Sequence, residues 1–226
     1  MSILATGCQW RSIPKDLSPR STLPDYFDPR NHNGTLKRIH HALYIKCREQ
    51  MGREASPTAA VIDSQGVKSA EKGGRRIDPN GFDAGKNIKG KMRHILVDTT
   101  GLLLHAIVHA ADIQDRDGGA MLMATLIGLF PFLLKLYADG GYRGPVFGNA
   151  MKEIMAQIHL EIVKRSDQAK GFVVLPRRWV VERTWAWLGR CRRLAKDWEC
   201  RNRKARGFLL PPSIRLMLRR FVQNDG

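Results

Sequence analysis

Three acids far apart in the chain, Asp63, Asp139 and Glu182, are the residues best placed to do chemistry together. Asp139 ends the run Leu133–Ala138 and is followed by Gly140 and Gly141. A short apolar run bounded by turn residues reads as a buried strand. A glycine pair after it lets the backbone turn and leaves the carboxylate uncovered. Asp63 closes the run Ala59-Ala60-Val61-Ile62, the pattern of a strand buried on both faces. Carboxylates brought to contact distance repel strongly unless a cation lies between them. Hard oxygen ligands that leave waters in place suit Mg²⁺. Two such ions about 3.5–4 Å apart serve an in-line displacement at phosphorus and need no protein nucleophile. Each acid also has a plainer reading on its own. Asp139 suits the first position of a turn. Glu182 suits a surface pair with Arg178, in an orientation worth only about 0.2–0.5 kcal/mol.

The elements that must bring these acids together follow from the hydrophobic pattern. The expected order is strand, strand, strand, helix, strand, helix, strand, helix. A central sheet whose first and fourth strands are parallel neighbours sets Asp63 beside Asp139 across a spacing of 76 residues, and Glu182 lies 43 residues further on. Ile95–Asp98 and Leu102–His109, separated by Thr99-Thr100-Gly101, read as a hairpin. Asp117 is expected to cap a helix through Met121–Phe130, with Asp115 near its positive end. Pro145–Gln157 reads as a helix, His159–Lys164 as a strand and Lys164–Lys170 as a polar connection. A long helix is expected from about 177 to 196, entered through Pro176. Projected at about 100° per residue, its apolar face holds Val180, Val181, Thr184, Trp187, Leu188, Cys191 and Leu194, with Trp185 at the edge. Glu182 falls off that face, among Arg178, Ala186, Gly189 and Arg193.

Charge supplies the second argument. With 38 Lys and Arg against 21 Asp and Glu, the 226-residue chain carries +17. Fourteen basic and four acidic residues between 177 and 226 place +10 of that surplus in the last fifty positions. An excess this one-sided favours a polyanionic partner, most simply nucleic acid. Lys86, Lys89, Lys91 and Arg93 lie among glycines in a stretch that reads as an exposed loop or a track along a phosphate backbone. Arg178, Arg190, Arg192 and Arg193 are further candidates for phosphate contact. The four scattered cysteines form no C-x-x-C pair, which argues against a zinc site or a disulfide framework. No uncharged run is long enough to span a membrane. A cytoplasmic protein without a membrane partner is expected.

Residues 1–35 are rich in turn formers, with Trp10, Tyr26 and Phe27 as apolar anchors, and Thr35 suits the start of a helix through Leu36–Arg53. Residues 1–55 read as a partial N-terminal helical, DNA-binding segment, 56–200 as a catalytic α/β domain and 201–226 as a basic C-terminal tail.

Five runs together resemble the insertion-sequence transposases of family five: Val61–Gln65, His94–Thr99, Ala111–Gly118, Tyr137–Tyr142 and Arg178–Thr184. The resemblance spans about residues 7–209. It implies a bacterial DDE enzyme with an RNase H-like core, a mixed five-stranded sheet flanked by helices. It implies that Asp63, Asp139 and Glu182 form the catalytic, metal-binding triad, with Mg²⁺ as cofactor and Mn²⁺ as a usable substitute. The implied activity is cleavage at terminal inverted repeats and strand transfer into target DNA by a nucleoid-associated homo-oligomer. It places the family's signature arginine at Arg178 and its following basic residue at Arg190. Members usually carry a further helical segment before the region of Gly7–Trp10, and Pro211-Pro212 is expected to break a helix that continues in the family. Both departures read as marks of a shortened, altered copy. A cellular nuclease with the same core and a DNA-binding remnant without activity stay open as alternatives.

Overall fold

The computed structural model describes residues 2–9, 12–16, 22–70, 77–163 and 176–224. Trp10, Glu71 and the connection Lys164–Lys170 lie outside the described residues.

A six-stranded mixed sheet forms the centre. Its strands are β1 (Ala59–Lys68), β2 (Gly81–Asp83), β3 (Ile88–Asp98), β4 (Leu103–Ala110), β5 (Lys135–Ala138) and β6 (His159–Ile162). β1 is antiparallel to β3 on one side and parallel to β5 on the other, and β6 runs parallel beyond β5. The outer edge of β3 carries β4 along residues 91–97 and the short β2 along residues 88–90. The five longer strands lie in the order β4-β3-β1-β5-β6, three antiparallel and two parallel, which is the RNase H-like arrangement. β2 is the strand beyond the five expected. Gly101, at φ +83°, supplies the left-handed residue of the β3–β4 turn.

Both faces of the sheet are covered, as its continuous apolar strands require. On one face Ala60, Ile62, Leu96 and Leu136 pack with residues of α3 (Thr35–Gln50), α4 (Asp115–Ala124), α5 (Pro145–Ile154) and α8 (Leu210–Asn224). On the other, Val61, Ile95, Val97 and Tyr137 meet Val181, Trp185 and Leu188 of α6 (Pro176–Gly189). Leu4 of α1 (Ser2–Thr6) and Phe208, which follows α7 (Asn202–Gly207), join this second cluster. The first and last segments of the chain therefore share the cores of the middle one. Tyr44 and Arg48 of α3 reach the buried Asp98, at 3.2 and 2.6 Å, and Asp98 also accepts from the backbone of Thr100 and Leu102 in the hairpin turn.

Several local expectations change. The turn-rich N-terminal stretch contains the helix α2 (Thr22–His32). The stretch expected as a loop around Lys89–His94 is most of β3. The helix expected to reach 196 stops at Gly189, and a 3₁₀ turn follows at Arg192–Leu194. α4 begins at Asp115 with Gln114, not Asp117, at the capping position. Pro211 and Pro212 sit in the first turn of α8, where a missing N–H costs nothing because it has no helical partner, so they begin a helix.

Candidate active site

Strand register puts Asp63 and Asp139 together. β1 and β5 run in parallel with Ala59 beside Lys135 and Val61 beside Tyr137. Continued by two residues, that register sets Asp63 beside Asp139. Side chains alternate across a strand. Asp63 therefore shares its face with Val61, and Asp139 with Tyr137, which is the face covered by α6. Asp139 is held by its own turn, its carboxylate accepting from the Gly141 N–H at 2.9 Å.

Asp63 is half-buried, and Trp185 of α6 donates its indole N–H to Oδ2 at 3.0 Å. Its carboxyl is pushed up to about 7, by burial first and also by the charge of Asp139. Hydrogen bonds from Ser64 and Trp185 and the charge of Arg178 oppose that rise without cancelling it. In the metal-free protein the folded state thus holds a proton that the unfolded state releases near pH 4. Stability from this group is complete below that pH and is lost as pH rises through about 7. Asp63→Asn is therefore expected to raise the Tm of metal-free protein at pH 8 and to change it little at pH 4. Melting curves at the two pH values check this, and an equal shift at both would refute it.

Glu182 stands on α6, one turn before Trp185, and is exposed as its helical position predicts. Its carboxylate is paired with Arg178 Nε at 2.8 Å. Among the described residues no three His, Cys, Asp or Glu side chains stand together as a ready cation cage. The two aspartates fit a hard cation, having only oxygen donors and a mutual repulsion that a cation would remove. Only one Glu182 oxygen, Oε1, is engaged by Arg178.

A further acid borders the pair. Ser64, next to Asp63, donates to Asp115 Oδ1 at 2.6 Å, and Lys86 Nζ reaches both Asp115 oxygens at 3.0 and 2.9 Å. A Cβ placed on Gly141 would stand 3.1 Å from Asp139 Oδ1 and 3.3 Å from Asp115 Oδ2. Burial pushes the Asp115 carboxyl up, but Ser64 and Lys86 outweigh it and hold the group below its usual range. Burial, and then the charges of Asp63, Asp115 and Asp139, keep the Tyr142 phenol protonated. Its hydroxyl lies 3.0 Å from His94 Nδ1. The sequence offers Asp115 only as an acid near a helix start, because its partners lie 51 and 29 residues away.

The family described as Transposase DDE domain matches residues 54–210, more than half of the chain. The chain belongs to that family. No curated protein matches it. Among solved structures, the catalytic core domain of BIV integrase is similar over 70% of this chain and 80% of that one, at 16% identity and a TM-score of 0.36. Members of the DDE family belong to the nucleic-acid phosphoryl-transfer class, and divalent metals are general in it. Among the described residues of this DDE protein no helix is long and apolar enough to cross a membrane.

The basic candidates divide sharply. Lys89, Arg190 and Arg192 are exposed. Lys86 and Arg178 are partly exposed but engaged with Asp115 and Glu182. Lys91, Arg93 and Arg193 are corrected: all three are buried and have internal partners, so no DNA backbone reaches them in this fold. Lys91 pairs with Asp197 at 3.0 Å and donates to the Glu199 carbonyl at 3.1 Å. Arg93 donates to the carbonyls of Leu194 and Lys196 at 2.6 and 3.4 Å. Arg193 pairs with Glu199 at 2.5 Å. Lys91 and Arg93 fasten the segment after α6 to the sheet, and Arg193 ties that segment to itself.

Proposed function

We propose that this DDE protein is a transposase of insertion-sequence family five. It cuts DNA at the terminal inverted repeats of its element and joins a 3′-hydroxyl to target DNA. Asp63, Asp139 and Glu182 hold Mg²⁺, for which Mn²⁺ substitutes. The observation that carries the reading is the parallel β1–β5 register, which sets two half-buried carboxylates side by side under α6. Bound divalent ions supply activation of the attacking water or hydroxyl and charge neutralisation at the leaving oxygen. The chain's own residues do the rest. Trp185 orients Asp63, and the Gly141 N–H orients Asp139. Arg178 holds Glu182 until a phosphate or cation competes for one of the partners. Lys86, Lys89, Arg190 and Arg192 are candidates to meet the DNA backbone, which positions the duplex without reading its sequence. The protein works as a homo-oligomer on DNA in the bacterial cytoplasm.

The test is cleavage of duplexes that carry the element's ends, with Mg²⁺, with Mn²⁺ or with a chelator. Strand cuts at the repeat ends are expected with either metal and none with chelator. Binding without cuts would replace this reading with an inactive remnant. Cuts indifferent to the repeats would replace it with a general nuclease.

A further inference from the structure

A groove of about 420 Å³ runs between α6 and α8, away from the carboxylates. It is lined by Arg183 and Arg190 on one side and by Arg215, Arg219 and Arg220 on the other, with Trp187, Pro212 and Leu216 between them. No acid lines it. Five guanidiniums around one groove repel one another, and with no internal counter-charge they favour an anion from outside.

Two of the five are already oriented. Arg183 stacks on Trp179 at 4.6 Å and on Trp187 at 4.8 Å, and Arg220 stacks on Trp187 at 5.3 Å. Each donates one N–H to the Thr100 carbonyl, at 3.2 Å. Burial, and then the nearby charge of Arg220, hold the Arg183 guanidinium below its ordinary range. Fixing such side chains in advance removes part of the ordering cost of binding. The planar fork of a guanidinium matches a phosphate with two parallel hydrogen bonds.

From this geometry we infer that the α6–α8 groove binds the phosphate backbone of duplex DNA. Trp187, the aromatic ring in the groove, is occupied by two arginines, so it is not open as a stacking platform for unpaired bases. A duplex keeps its bases stacked and offers phosphates instead. Arg183 directly follows Glu182 and points about 100° around the helix from it. A backbone in the groove therefore flanks the candidate active site across the width of one helix. The inference rests on the DNA-acting reading and adds a surface to it.

The experiment measures affinity for a duplex without terminal repeats as a function of salt, using the full chain. The variants are Arg215→Gln/Arg219→Gln, Arg190→Gln alone, and Lys152→Gln on α5 as a distant exposed control. The double variant is expected to reduce the salt slope by about 2, since each lost phosphate contact on B-DNA removes about 0.9. Arg190→Gln is expected to reduce it by about 1, and Lys152→Gln to leave it unchanged. Arg190 lies beyond the end of α6, so this single change keeps the test valid if the double variant fails to fold. Wild-type binding with slopes unaltered by folded groove variants overturns the groove and leaves the enzyme reading intact. Loss confined to single-stranded DNA also overturns it. A wild-type protein that binds no duplex at any salt sinks the DNA-acting reading itself.

Discussion

Asp139→Asn is expected to abolish metal-dependent strand cutting while leaving the fold and the binding of DNA in place. The amide has the shape of the carboxylate, and its oxygen still accepts from the Gly141 N–H. What disappears is one of two adjacent charges. A site that needs both to hold a divalent cation should lose more than the about 10–100-fold that an outer partner of a metal ligand costs. Cleavage of end-bearing DNA measures this directly. Titration of Asp63 gives a second reading. Burial remains in the variant but the neighbouring charge does not, so Asp63 should release its proton at a lower pH than about 7. Equal cutting by wild type and variant would remove Asp139 from the site. An unmoved Asp63 titration would mean that the two carboxylates do not interact.

The second large effect is on stability. Lys91→Ala removes a fully buried ammonium and leaves Asp197 charged and buried inside the protein. Breaking one partner of such a pair costs about 3–5 kcal/mol, because the remaining charge has lost both water and counter-ion. Urea unfolding should show the unfolding free energy, the midpoint multiplied by the slope, falling by that amount. Lys91→Met/Asp197→Leu removes both charges at similar volume and is expected to recover most of the loss. A Lys91→Ala unfolding free energy within about 1 kcal/mol of wild type would show that the pair contributes little.

The same lysine shows where the sequence stops being legible. The strands that carry Asp63 and lead to Asp139 are visible because their continuously apolar runs stop at an acid, although β1 itself continues past Asp63 to Lys68. Their parallel pairing follows from the order of elements. Glu182 is visible because it falls off the apolar face of its helix. β3 is only half visible. Its first part carries Lys89, Lys91 and Arg93 among glycines, which is the composition of a solvated loop. Only Asp197 and the carbonyls of Leu194, Lys196 and Glu199, about a hundred residues on, make Lys91 and Arg93 compatible with a sheet interior. Local pattern holds no trace of such partners. Asp115 is obscured in the same way, since Ser64 and Lys86 come from other elements. Pro211 and Pro212 mislead for a different reason: proline breaks a helix only beyond its first turn.

The fastening of residues 194–199 to β3 also bears on how the polypeptide acquires its shape during synthesis. Two positive side chains in the sheet wait for partners that leave the ribosome about a hundred residues later, at roughly 5–20 residues per second. Until then β3 holds uncompensated charge on the face that α6 later covers. The α3 side of the sheet is completed only by α8, the last helix of the chain, and closure of the α6 side is deferred for several seconds after β3. Premature termination before α6 begins at Pro176 yields a product whose sheet is charged on one face and bare.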